Sequence, residues 1–251
     1  MHSPVLIPLL IAAAMIMVCL LAGGNTPLEF FQEWQPATVY NAIQLFSCSL
    51  IAAAIIRTHS ENKEHPASVK LFWYIVSGAS LYFGMDELFQ FHENSGPLAQ
   101  LLRELFGQPG TRPFVAGFDL PSYSALVVDC YAIFVAAIGF LFRREILAQS
   151  STALMFALAA LLLGGYQLIN LALLQEHGSL FGVYVAQSEP IFTVVAQSFK
   201  IAGCATVLGA LMQTLLDKRQ RVSIEKMLDQ LDQSRSCVNG LNKDQRNLVD
   251  V

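Results

Sequence analysis

Charge is scarce in this sequence. Asp, Glu, Lys and Arg make up 14% of the 251 residues, whereas a soluble domain usually carries about 25%. A water-facing surface built from so few charges would be adhesive, so most of the surface must face lipid. A basic stripe is missing as well. The net charge is −4, which excludes the electrostatic footprint that nucleic acid needs. No two cysteines are spaced as CxxC. Four of the five, Cys19, Cys48, Cys130 and Cys204, lie inside apolar runs and only Cys237 does not. Neither a disulfide framework nor a zinc knuckle is supported, and the cysteines read as small buried hydrophobes. A Walker A loop, a G-x-S-x-G elbow and an HExxH helix are all absent, as is any internal repeat. No cofactor is implied.

Hydrophobicity takes the place of charge: 54% of the residues are apolar and the mean hydropathy is +0.49. A bilayer core of ~30 Å needs roughly 20 apolar residues at ~1.5 Å rise per residue. Six segments qualify, at about 5–22, 38–56, 71–91, 123–142, 153–174 and 191–216. Turn chemistry separates them, as in Gly23-Gly24-Asn25, His65-Pro66, Gly107-Gln108-Pro109-Gly110 and Ser188-Glu189-Pro190. The first run lacks the basic flank of a signal peptide and is long for one, so it reads as an uncleaved helix. The fold expected is all-α: an integral membrane bundle of six transmembrane helices over residues 1–216, with a cytoplasmic polar and amphipathic tail over 217–251.

Orientation follows from the cations, since Lys and Arg collect on the cytoplasmic side. Arg57, Lys63, Lys70, Arg143 and Arg144 lie between spans two and three or four and five. Lys218, Arg219, Arg221, Lys226, Arg235, Lys243 and Arg246 follow span six. These are twelve of the fifteen. Only Arg103 and Arg112 fall on the other side, and Lys200 is inside span six. Both termini are therefore placed in the cytoplasm, with the membrane read as the inner (plasma) membrane of a bacterium. The longest outer loop, about 92–122, mixes an amphipathic stretch at Leu98, Leu101, Leu102, Leu105 and Phe106 with a Gly/Pro-rich turn, the pattern of a short surface helix or an ordered loop. The tail carries Ile224, Leu228 and Leu231 on one face and is the candidate surface for a protein partner or self-association. Gly240 is expected to interrupt any longer heptad pattern.

The informative residues are polar ones at lipid depth. Span three carries Asp86, Glu87 and Gln90, followed at its outer boundary by His92 and Glu93. Span four carries Asp129, span five Tyr166, Gln167 and Asn170, span six Gln197 and Lys200; span two begins with Tyr40, Asn41 and Gln44. An ionised side chain at mid-bilayer costs at least about 2.5–3.5 kcal/mol on insertion scales, so such groups face the bundle interior and pair. Counting ~1.5 Å per residue, Asp86 and Asp129 lie roughly 10 Å below the outer ends of their spans and Lys200 roughly 13 Å below its own. Neighbouring spans run in opposite directions, yet their polar residues converge on one level. On a continuous helix Asp86, Gln90 and Glu93 form one stripe, with Glu87 turned about 100° away. Two adjacent acids and one lysine predict an ion pair, with Asp86 or Glu87 as partner to Lys200 and Asp129 as the alternative.

Three uses compete for such a cluster: binding or transport of an ion or polar ligand, a structural network in an accessory or assembly subunit, and a metal-dependent membrane enzyme. Metal is disfavoured. Carboxylate-rich bundles use Glu-x-x-His, with ligands one turn apart, whereas His92 and Glu93 are sequence neighbours and Lys200 would crowd a dication. A site nearer the surface would take His92, Glu93 and His177, two imidazoles and a carboxylate around an open position.

The string from Gly84 to Glu93, GMDELFQFHE, resembles the third-helix motif, roughly Leu-Asp-Glu-x-x-x-x-His-Glu, of a widespread group of uncharacterised bacterial multipass membrane proteins. The resemblance covers Asp86, Glu87, His92 and Glu93 closely and the six-span layout loosely. Proteins of that group tend to carry a Gly-rich segment ending in Glu in the fifth helix and Glu-Glu-x-x-Glu-Met-x-Gly in the last. The corresponding stretches here are Gly164-Gly165-Tyr166-Gln167 and Ala196-Gln197-Ser198-Phe199-Lys200-Ile201-Ala202-Gly203. Gln167 and Gln197 then stand where acids would be, and Lys200 inverts a charge. The resemblance implies a site, neutralised from within, and no particular reaction.

Overall fold

The computed structural model of the chain describes residues 6–23, 27–31, 35–60, 67–91, 114–115, 118–119, 123–147, 150–174, 179–180, 183–184 and 189–249. Among them are seven α-helices: α1 (Leu6–Gly23), α2 (Pro36–Ser60), α3 (Ala67–Phe89), α4 (Tyr123–Leu141), α5 (Arg143–Leu147), α6 (Ser150–Leu174) and α7 (Glu189–Val249). A 3-10 turn, Pro27–Phe31, follows α1. Two short antiparallel ribbons were not foreseen. In one, β1 (Phe114–Val115) pairs with β2 (Phe118–Asp119), Phe114 opposite Asp119. In the other, β3 (Ser179–Leu180) pairs with β4 (Val183–Tyr184), Ser179 opposite Tyr184.

The protein is helical because its apolar runs are long and nearly free of breakers. Pro36 opens α2 at the first helical position, where a missing N–H costs nothing and the fixed φ is already helical. Hydroxyls inside the helices satisfy themselves. Ser47, Thr58, Ser198, Thr206 and Thr214 each donate to the carbonyl four residues earlier, at 2.7–3.0 Å, which satisfies the hydroxyl within its own helix.

Four helices among the described residues are long and apolar enough to cross a membrane: Leu6–Gly23, Glu29–Thr58, Thr152–Asn170 and Ile191–Leu231. Six were expected. The other two positions are occupied by α3 and α4, but α3 is diluted by Lys70, Asp86 and Glu87, and the shorter apolar stretch in α4 is Cys130–Leu141. The outward faces are greasy, with Leu21, Leu50, Leu154 and Leu161 more than 70% exposed. Lipid is the solvent that suits such faces.

The Met1–Thr214 unit is held by small residues at close crossings. Its core gathers Ala12 and Cys19 of α1, Phe31 of the 3-10 turn, Ala37 of α2, and Ile201 and Ala205 of α7. Along α2 the buried stripe reads Ala37, Asn41, Gln44, Cys48, Ala52, Ile55, the three- and four-residue steps of one helix face. Helices α2 and α3 run antiparallel. Near the middle, the Ser77 hydroxyl donates to the Ser49 carbonyl at 3.1 Å, while further out a Cβ on Gly84 would stand 2.9 Å from the Phe46 ring. Helices α6 and α7 approach similarly, with Gly165 under the Phe199 ring and Gly203 against Leu163. The second unit, Leu215–Val251, lies on the C-terminal part of α7. The helix continues through Gly240 to Val249.

Candidate functional site

The site is built at the C-terminal end of α3. That helix stops at Phe89, and Gln90 takes φ 53° while its N–H still reaches the Asp86 carbonyl at 2.7 Å. A left-handed non-glycine residue costs about 1–3 kcal/mol, held here by burial of Gln90. The turn corrects one expectation. Asp86 and Gln90 do not lie on one continuous helical stripe, because the helix ends at Phe89; Glu93 lies outside the described residues.

Adjacent residues on a helix point about 100° apart, and the two acids of α3 accordingly serve different neighbours. The Glu87 carboxylate pairs with the Lys200 ammonium of α7, and both side chains are under one-fifth exposed. Lys200 Nζ also lies 5.3 Å from the centre of the Tyr166 ring on α6, inside the ~6 Å at which an aromatic face attracts a cation. Cys204, one turn beyond Lys200, is in electrostatic range of both charges. Three helices thus meet at one ion pair. Asp86 is buried and turned toward α4, in electrostatic range of Tyr131. The Tyr131 hydroxyl in turn meets that of Tyr82 at 2.8 Å. Of the two acids expected as partners for Lys200, Glu87 makes the pair.

Helix α2 adds a neutral polar face. Asn41 and Gln44 are each only 2% exposed, and none of their amide atoms meets a hydrogen-bond partner. Gln44 is close to the Tyr40 hydroxyl without reaching hydrogen-bond geometry. Tyr40 and Cys48, a turn to either side of Gln44, both lie in electrostatic range of Cys204.

Of the other residues singled out in the sequence, Gln167, Asn170 and Gln197 are half-buried on α6 and α7. Asn170 follows Tyr166 by one turn, and Gln197 precedes Lys200 by about one turn. Asp129 is carried on α4. His92, Glu93 and His177 lie outside the described residues, and so does most of the 92–122 loop. Among the described residues no three His, Cys, Asp or Glu side chains gather closely enough to hold a metal ion. Sequence reasoning passed over Cys204 as a neighbour of the charges and over the Tyr82–Tyr131 contact. The signal for Cys204 was its i+4 spacing from Lys200; a tyrosine pair on two different helices leaves no local signal.

The assembly pairs charge with charge beside a phenol and a thiol. No curated protein and no solved structure matches this chain. Residues 5–214 match a family described as a domain of unknown function, DUF8692, a stretch that contains every residue of the site, and the chain belongs to that family.

Proposed function

We propose that the chain is a six-span protein of a bacterial inner (plasma) membrane, with both termini cytoplasmic, that binds and moves a small polar or ionic ligand at a site in the outer half of its bundle. The Glu87–Lys200 pair with Tyr166 is the observation that carries this reading. Lys200 stands eleven residues into α7, roughly 16 Å along the helix. Charges at such depth are expensive and mark ligand or ion pathways. Structure alone does not require them. A buried pair is often no more stabilising than packed apolar side chains, and α6 and α7 already approach closely through Gly165 and Gly203. In this reading Asp86, Gln90, Glu93, Asp129, Gln167, Asn170 and Gln197 also belong to the ligand-binding set, and no chemical conversion is assigned.

The test uses the full chain purified in detergent, titrated separately with sodium chloride, potassium chloride, ammonium chloride and glycine while thermal unfolding is followed. At least one probe should raise Tm saturably. The effect should vanish in Glu87→Gln/Lys200→Met, with helical content by circular dichroism unchanged. No response to any probe, or an equal response in the double variant, defeats the reading.

A second reading, an accessory subunit that assembles through its tail, is favoured by one observation. Ile224, Met227, Leu228 and Leu231 are all more than half exposed and share one face of α7. The occupant that fits is a second copy, since two copies in one membrane carry identical stripes in parallel. Removing residues 217–251 should then halve the mass of the detergent-solubilised particle; an unchanged mass rejects it.

A further inference from the structure

We propose that Asn41 and Gln44 form a subsite on α2 for an uncharged group that both donates and accepts hydrogen bonds, such as a primary amide, and that this subsite adjoins the Glu87–Lys200 pair. The inference rests on the ligand-binding reading above and names the chemistry of part of the ligand.

Buried polar groups in proteins are almost always paired, and each one left unmet costs about 1–3 kcal/mol. Here both carboxamides lie in the middle of an otherwise apolar or thiol-bearing stripe, with oxygen and nitrogen unmet on each. Two such side chains on one face, one turn apart, are a poor way to pack α2. They make sense as halves of a contact whose other half is a ligand.

The chemistry of that ligand follows from what is unmet. A cation would satisfy the two carbonyl oxygens and leave both NH2 groups facing it; an anion would do the reverse. Helix α2 offers no charge of its own before Arg57, so a charged group against the amides would have no counterion on that helix. A neutral group that gives one hydrogen bond and takes another satisfies both ends of each carboxamide. Gln44 lies between Tyr40 and Cys48, both in electrostatic range of Cys204, which is itself in range of Lys200 and Glu87. On this proposal one solute presents its neutral end to α2 and its polar or ionic end to the pair. Ordered water offers the same donor–acceptor chemistry, and the experiment separates it from a bound solute.

The full chain in detergent is titrated with acetamide and, separately, with acetate, its charged isostere, and thermal unfolding is recorded. Acetamide should raise Tm saturably and acetate should not. In Gln44→Met, and independently in Asn41→Leu, the half-saturating acetamide concentration should rise about tenfold, the loss of roughly one hydrogen bond. Having two variants keeps the test intact if one fails to fold. A flat acetamide response, equal responses to acetamide and acetate, or unchanged half-saturation in both variants overturns the proposal. Acetamide inert while both variants lower Tm would mean that ordered water fills the site, and overturns it too. An ion-pair site that fails its own test while the parent chain's acetamide response stands separates the two ideas.

Discussion

Replacing Lys200 by methionine removes the cation and keeps most of the side chain's volume. Glu87, less than one-fifth exposed, is left facing Tyr166 and Cys204. Breaking a buried pair from one side usually costs about 3–5 kcal/mol. The loss has a ceiling, because the orphaned carboxyl can escape by taking up a proton. At pH 7 that escape costs a carboxyl of ordinary acidity about 3.7 kcal/mol, from a reference value of about 4.3 and about 1.36 kcal/mol per pH unit. The expected loss for Lys200→Met is therefore about 3–4 kcal/mol at pH 7. It should shrink by up to about 1.4 kcal/mol for each unit the pH is lowered, since protonation becomes easier. Unfolding in mixed micelles at pH 7 and pH 5.5 measures both quantities. Adding Glu87→Gln should restore stability to within about 1 kcal/mol of the parent, because no uncompensated charge is left. Adding Asp86→Asn should restore nothing, because Asp86 is turned toward α4. A loss under about 0.5 kcal/mol at pH 7, or rescue by Asp86→Asn in place of Glu87→Gln, would refute the pairing and the energetics together.

The crossing of α2 and α3 makes a contrast between two glycines. Gly84→Leu must displace the Phe46 ring, 2.9 Å from a Cβ there, and should cost about 1–3 kcal/mol; Gly78, with nothing within 4 Å, should accept alanine with no loss or a gain of up to about 1 kcal/mol. Equal effects in a thermal-unfolding assay would contradict the crossing. Tyr131→Phe and Tyr82→Phe should each cost about 1 kcal/mol, and the double variant little more, since both remove the same 2.8 Å hydrogen bond; additive losses would speak against it. For orientation, a reporter fused at Val251 should be active only in the cytoplasm, and a cysteine placed at Lys63 should escape a membrane-impermeant thiol reagent. Labelling of that cysteine from outside would reverse the topology.

Helix positions were legible in the chain because the signal is local: an apolar run of about twenty residues states its own conformation wherever it is placed. Asn41, Gln44, Asp86, Glu87 and Lys200 stood out for a related reason, being polar where the local pattern is not. Which of them touch is another matter. Asp86 and Glu87 are neighbours in sequence, and a rotation of α3 by about 100° exchanges their surroundings. That rotation is set by contacts far along the chain, the Phe46 ring over Gly84 and the Ser77 hydroxyl on the Ser49 carbonyl. Gln90 shows the same limit for the backbone, since nothing in its side chain demands φ 53° and the apolar pattern runs on through Phe91. The sequence alone determined a helical chain of long apolar runs with a few polar residues set among them. Only tertiary packing decided that Glu87 holds Lys200, because the choice between equivalent neighbours depends on how each helix is turned against the others.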